Sequence, residues 1–171
     1  MDRISSMELA ISNERTEMEF YQTESARSKN RLAKQMFDTL AADEKAHMKK
    51  IGELHQKLVE SGEWPADLPL EVSGTDIREQ FTAIASDAQS ADEHDQDDIA
   101  AIRKAISFEA QGAKLYAQLA DASANPVEKK FFRFLSLIER EHQLSLNDTL
   151  AYFEDPEGWL MEIEGMRLDG A

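Results

Sequence analysis

Two stretches of this chain carry Glu-x-x-His, namely Glu44 with His47 in LAADEKAH (40–47) and Glu139 with His142 in LSLIEREH (135–142). On a helix, residues three apart share a face. A carboxylate and an imidazole so placed offer oxygen and nitrogen donors to one cation, or pair with each other at the surface. Their surroundings decide between these. Phe37, Leu40, Glu44, His47, Ile51, Leu54 and Leu58 advance by threes and fours, and Phe132, Leu135, Glu139, His142, Leu146 and Phe153 lie on a similar line. Both polar pairs therefore interrupt the apolar stripe that an amphipathic helix turns toward its core.

The two stretches belong to a longer repeat. Adding 95 to a position in the first half gives its counterpart: Glu14 and Glu109, Tyr21 and Tyr116, Phe37 and Phe132, Leu40 and Leu135, Glu44 and Glu139, His47 and His142. Ala10-Ile11-Ser12 recurs as Ala105-Ile106-Ser107. Glu14 lies on the line Met7, Ile11, Glu14, Met18, Tyr21, and Glu109 on Ile102, Ile106, Glu109, Ala113, Tyr116. In each half the seam Glu precedes the Glu-x-x-His by the same distance, with a turn midway. At ~1.5 Å per residue, both glutamates sit roughly 22 Å from that turn, at one height in the hairpin. Four carboxylates and two imidazoles thus converge in mid-bundle. Burying them without counter-charge is costly or forces protonation. Two multivalent cations resolve the conflict, and donors free of sulfur suit non-haem iron or manganese. The alternative is a polar network satisfied by hydrogen bonds alone.

The elements that must hold these residues follow from the same periodicity. Helices are expected over Ser6–Ser28, with Ser5 or Ser6 as N-cap, and over Arg31–Glu60 after a turn at Lys29-Asn30. The segment SGEWPADLPLEVSGTD breaks the pattern with Gly and Pro. A short helix over Thr75–Ser86 and a polar loop, DAQSADEHDQ, complete a crossover at about 61–96. A third helix is expected over Asp97–Ala122 and a fourth from Pro126 to about Phe153, with Pro suited to its first turn. The fold class is all-α, a four-helix bundle of two duplicated hairpins joined by one long crossover. The bundle occupies residues 1–155. Residues 156–171, including Trp159, Leu160, Met161 and Ile163, form an apolar extension that packs on the bundle or on a second subunit.

Composition narrows the function. Thirty-four acidic against nineteen basic residues give a net charge of −15, which argues against nucleic acid and anionic membrane as partners. The absence of Cys excludes disulfides, thiolate metal sites and thiol catalysis in this sequence. No membrane span or signal peptide is visible, and a cytoplasmic protein is expected.

The segments AISNERTEMEFY (10–21), LAADEKAH (40–47), AISFEAQGAKLY (105–116) and LSLIEREH (135–142) resemble the rubrerythrin-like branch of the ferritin-like superfamily, across all four helices. The resemblance implies a ferritin-like bundle with two irons held by Glu14, Glu44, His47, Glu109, Glu139 and His142. Glu44 and Glu139 would bridge the metals, Glu14 and Glu109 would be terminal ligands, and each His would cap one iron. It implies peroxidase chemistry, reduction of hydrogen peroxide or oxygen to water, and a homo-oligomer, commonly a dimer. Two departures stand out. The rubredoxin domain of the family needs four Cys, so electrons must come from an external donor such as a rubredoxin-like protein. The family also places a further carboxylate one turn after the second-half Glu, where this chain has Gly112. The counterpart of Gly112 is Glu17, which is either a seventh ligand entering from the other side or a solvated surface residue.

Tyr21 and Tyr116 follow the seam glutamates by two turns on the same face. They are read first as core packing, and otherwise as catalytic support that hydrogen-bonds the ligand carboxylates. His55 and His94 are read as surface residues, and Trp64 with Leu68–Leu70 as packing on the bundle. Three other functions fit the same residues: ferroxidase with iron storage or handling, di-manganese catalase-like chemistry, and a helical adaptor without catalysis.

Overall fold

The computed structural model describes residues 3–65, 96–159 and 161. Its four long helices are α1 (Arg3–Arg27), α2 (Arg31–Ser61), α3 (Gln96–Ala122) and α4 (Pro126–Glu154), and no strand occurs among the described residues. The two turns are built alike. Asn30 Oδ1 accepts hydrogen bonds from the backbone N–H groups of Leu32 and Ala33 at 2.9 and 3.0 Å. Asn125, its counterpart at the same offset of 95, accepts from Val127 and Glu128 at 2.8 and 3.2 Å. Each thereby satisfies N–H groups that the first helical turn leaves without partners. Gly62 closes α2 at φ 71, with its N–H donating to Leu58 O at 2.9 Å.

Arg3 donates to Gly62 O at 3.3 Å, which sets the start of α1 beside the end of α2. Arg27 pairs with the buried Asp98 at 2.9 Å, which sets the end of α1 beside the start of α3. The end of α2 and the start of α3 therefore lie at opposite ends of the molecule. That placement of the two helix ends is the one a ferritin-like bundle requires. The helix expected over 75–86, its polar loop and Leu68–Leu70 lie outside the described residues. None of the described helices is long and apolar enough to cross a membrane.

Two apolar clusters flank a polar middle layer. One gathers Tyr21, Phe37, Leu40, Ile102, Leu146 and Phe153. The other gathers Met7, Ile51, Leu54, Tyr116, Phe132 and Leu135. Tyr21, Phe37 and Leu40 fall in one cluster and their repeat counterparts Tyr116, Phe132 and Leu135 in the other. The hairpins are thus related by an approximate two-fold, and the polar layer lies on its axis. Trp64 packs on Phe131 with ring centroids 5.5 Å apart, as the sequence led one to expect. Trp159 is buried against Tyr152 at 5.4 Å, while Met161 is exposed, and the rest of the C-terminal segment lies outside the described residues.

The structure corrects three sequence expectations. Neither Ser5 nor Ser6 caps α1, because the helix extends back to Arg3 and buries Ser6 within it. The inward line of α1 is Met7, Ala10, Glu14, Glu17, Tyr21, with Ile11 and Met18 only half-buried. Ala10 lies within the second apolar cluster, and Ile11 packs at its edge. His55 is half-buried rather than at the surface, with its Nε2 3.9 Å from Glu8.

Candidate metal centre

Glu14, Glu44, His47, Glu109, Glu139 and His142 meet in the polar layer, each almost or wholly shielded from solvent. They come from four different helices, as the duplicated seam requires. Their donor atoms form overlapping groups, each within 4.8 Å across: Glu14, Glu44 and His47; Glu44, Glu109, Glu139 and His142; and Glu14, Glu17, Glu44 and Glu139. Glu44 belongs to all three groups and Glu139 to two.

The contacts are those of donors aimed at common points. His47 Nδ1 lies 3.0 Å from Glu44 Oε2 and 3.2 Å from Glu14 Oε2, oxygens from two different helices. His142 Nδ1 lies 3.0 Å from Glu44 Oε1 and 3.5 Å from Glu109 Oε2. The Glu44 carboxylate thus spans the two imidazoles, one oxygen toward each. The rings stack with centroids 5.6 Å apart. The Nε2 of His142 faces away, toward Asp43 Oδ2 at 3.8 Å.

The two tyrosines cross between the hairpins. The Tyr21 hydroxyl donates to Glu109 Oε1, and the Tyr116 hydroxyl donates to Glu14 Oε1. Core packing describes their rings, since Tyr21 stacks on Phe37 and Tyr116 on Phe132. It does not describe their hydroxyls, each of which holds a carboxylate of the opposite repeat. Glu17, open in the sequence between ligand and surface residue, is 3 % exposed and accepts a hydrogen bond from Asn13 Nδ2 at 2.9 Å. Sequence reasoning missed Asn13 and Asp43, because both are half-buried polar residues beside a seam and no repeat counterpart marks them: position 108 is Phe and position 138 is Ile.

Electrostatics follow from the burial of like charges. Burial and the Glu44 charge push the Glu14 carboxyl up to about 7. Burial, with the charges of Glu17 and Glu109, raises Glu139 well above the carboxylate range, and burial with Glu109, Glu44 and Glu14 does the same to Glu17. Burial would also raise Glu44, but the charges and hydrogen bonds of His142 and His47 outweigh it and hold Glu44 low. The imidazoles move the other way. Burial disfavours their charge, yet hydrogen bonds to Glu14 and Glu44 push His47 up to about 9, and Glu44 and Glu109 raise His142.

Whether these residues fit a metal pair is decided by atoms that lack protein partners. Both carboxylate oxygens of Glu139 are buried without a hydrogen-bond donor, and Oε2 of Glu14 and of Glu109 face only the imidazoles, at 3.2 and 3.5 Å. An orphaned carboxylate oxygen in a dry interior costs on the order of 1–3 kcal/mol or more. A divalent or trivalent cation satisfies several of them at once. The donor set, four carboxylates and two imidazoles with no sulfur, suits iron or manganese. The cluster is compatible with two metal ions and fits them better than a closed hydrogen-bonded network.

A family model described as Rubrerythrin matches residues 6–94, somewhat over half of the chain. The match covers the first hairpin, and the second is tied to it by the internal repeat. Comparisons with curated proteins and with solved structures returned no match.

Proposed function

Because the chain belongs to the rubrerythrin family, we propose that its polar layer holds two non-haem iron ions and reduces hydrogen peroxide, or oxygen, to water with electrons from an external donor. The observation that carries this reading is Glu139: a fully buried carboxylate with no donor to either oxygen, beside three more carboxylates and two imidazoles. Glu14, Glu44, Glu139 and His47 would hold one ion and Glu44, Glu109, Glu139 and His142 the other, with Glu44 and Glu139 shared. Bound there, the pair supplies two electrons at one point and a Lewis acid for oxygen ligands.

The protein's own part is positioning and the exclusion of water. Tyr21 and Tyr116 fix the outer carboxylates through Glu109 Oε1 and Glu14 Oε1. The apolar clusters on either side exclude bulk water from the layer. Reduction of one peroxide consumes two electrons and two protons and yields two waters. Without Cys, these 171 residues cannot carry a thiolate-bound iron, so the electrons come from outside them, for example from a rubredoxin-like protein. We also propose a homo-oligomer, following the family, and a cytoplasmic setting.

The test is metal content by mass spectrometry on protein purified without added metal, beside a Glu44→Ala/Glu139→Ala variant. About two irons per chain, absent from the variant, followed by peroxide consumption with a chemical reductant, is the expected result. Two manganese ions would redirect the chemistry toward peroxide disproportionation. Thousands of irons in a large particle would replace the enzyme reading with storage. No metal in either protein, even after anaerobic loading, would overturn the reading.

A further inference from the structure

Through the polar layer the two repeats match residue for residue at the six donors, but not one turn beyond the outer glutamates. There α1 has Glu17 and α3 has Gly112. The structure places these two positions face to face. A Cβ on Gly112 would lie 3.2 Å from Glu17 Oε1, 3.3 Å from Asn13 Nδ2 and 3.3 Å from Glu139 Cδ. Such distances are tighter than ordinary carbon contacts. The space that a side chain at 112 would need is already taken by the Glu17 carboxylate. Glycine in mid-helix costs about 1 kcal/mol relative to Ala, and here it opens the room into which α1 delivers a carboxylate.

That carboxylate has an orientation and a destination. Asn13, one turn earlier on α1, donates to Oε2 at 2.9 Å and steers the group inward. Its donor atoms group with those of Glu14, Glu44 and Glu139. Of these, Glu139 has both oxygens buried and unpartnered, an independent sign that a cation belongs between them. Glu17 groups with neither imidazole, and of the two outer glutamates it groups with Glu14 and not with Glu109, which sets its side.

We propose that Glu17 is a seventh ligand, the fifth carboxylate of the centre, admitted by Gly112 and serving the ion on the Glu14–Glu44–His47 side. The proposal rests on the dinuclear reading of the cluster. It makes the two ion positions unequal. One gains a carboxylate from α1 beside Glu14, Glu44, Glu139 and His47, and the other keeps Glu44, Glu109, Glu139 and His142 alone. The first therefore binds a divalent cation more tightly, and the loss of Glu17 acts on it selectively.

The experiment is anaerobic titration of metal-free protein with cobalt(II) and with ferrous iron, against a competing chelator. Visible absorption reports each ion, and melting temperature is measured without metal. Wild type, Glu17→Gln, and the transposed Glu17→Gly/Gly112→Glu variant are compared. Glu17→Gln should lose at least about tenfold in affinity for one of two ions, keep the other, and melt no lower than wild type when metal-free, because a buried acid is replaced by a neutral group of the same shape. The transposed variant should weaken the His47-side ion and strengthen the other. Unchanged affinities in Glu17→Gln would overturn the proposal while leaving the dinuclear centre standing. An equal loss at both positions with a lower metal-free melting point would overturn it too, by showing that Glu17 only supports the fold. A wild type that binds neither metal would instead remove the dinuclear reading, and this inference with it.

Discussion

Replacing Tyr116 by Phe tests the cross-hairpin clamp with little else disturbed. The ring is fully buried and stacks on Phe132 with centroids 6.4 Å apart, so Phe fills the same space and opens no cavity of consequence. What is lost is the hydroxyl that donates to Glu14 Oε1. A hydrogen bond to a charged group is worth about 1.5–3 kcal/mol and one between neutral groups about 0.5–1.5. Glu14 sits at about 7, so near neutrality the carboxyl is a mixture of both forms. The expected loss is therefore about 1–3 kcal/mol, which for a chain of this size lowers the melting temperature by roughly 3–9 °C. Tyr21→Phe should cost a similar amount through Glu109. Because Glu14 and Glu109 are linked through His47, Glu44 and His142, the double variant should depart from additivity by about 0.5 kcal/mol or more. Metal affinity should fall by about 10–100-fold in each single variant, as it does when a ligand loses its supporting hydrogen bond. Thermal melts and chelator competition check both effects. If both single variants melted within about 1 °C of wild type and bound metal normally, the hydroxyls would be packing neighbours only, and the reasoning would be refuted.

Further outcomes are expected from the same structure. The metal-free protein should lose stability as pH rises from about 4.5 to 9. Glu14 is raised from 4.5 to about 7 and His47 from 6.5 to about 9, so over that window the folded state binds more protons than the unfolded one. Each shift corresponds to about 3 kcal/mol at most, and the two are not additive because the groups share a contact. Urea melts at stepped pH check the sign, and a flat or rising profile would contradict it. Asn30→Ala and Asn125→Ala should each cost about 1 kcal/mol, since each removes a side-chain cap from two backbone N–H groups; equal shifts in chemical denaturation are the expected result. Phe37→Ala and Phe132→Ala should each cost about 3–5 kcal/mol, as both rings are fully buried in opposite apolar clusters. A loss below 1 kcal/mol at either would contradict the paired-core description.

The helices with strong apolar stripes were readable before the fold was known. Every seam position of α2 from Phe37 to Leu58 is buried, as is every one of α4 from Phe132 to Phe153, so Glu44, His47, Glu139 and His142 stood out as polar residues in apolar company. α1 was harder, because its inward face is Ser6, Met7, Ala10, Glu14, Glu17, Tyr21 and Ser25. Hydropathy favours Ile11 and Met18 over Ala10 and Glu17, and it points to the wrong neighbours. The repeat corrected this for Glu14, whose counterpart is Glu109. It could not do so for Glu17, whose counterpart is Gly112. Whether a lone glutamate faces water or a cluster depends on what the facing helix leaves open, and that is a property of packing between α1 and α3. The tyrosine hydroxyls were out of reach for the same reason. Their partners lie 88 and 102 residues away in the other hairpin.

The asymmetry between the two shared glutamates explains how the layer tolerates its own charge. Under a strict two-fold, Glu44 and Glu139 would have equal surroundings. Instead Glu44 faces both imidazoles at 3.0 Å and is held in its charged form, while Glu139 meets Glu17 and Glu109 and is driven toward its neutral form. The metal-free layer therefore offsets much of its own charge, with protonated imidazoles beside the charged Glu44 and protons favoured on Glu14, Glu17 and Glu139. Protons occupy the electrostatic role that two cations would take. Binding of either ion must expel some of them, so affinity should rise with pH and the binding reaction should release protons to the buffer. Calorimetric titration with cobalt(II) in two buffers of different ionisation enthalpy measures that release directly. The apparent heats should diverge at pH 7. Identical heats would mean that the carboxylates are already charged without metal, and the charge distribution drawn from their burial would be wrong.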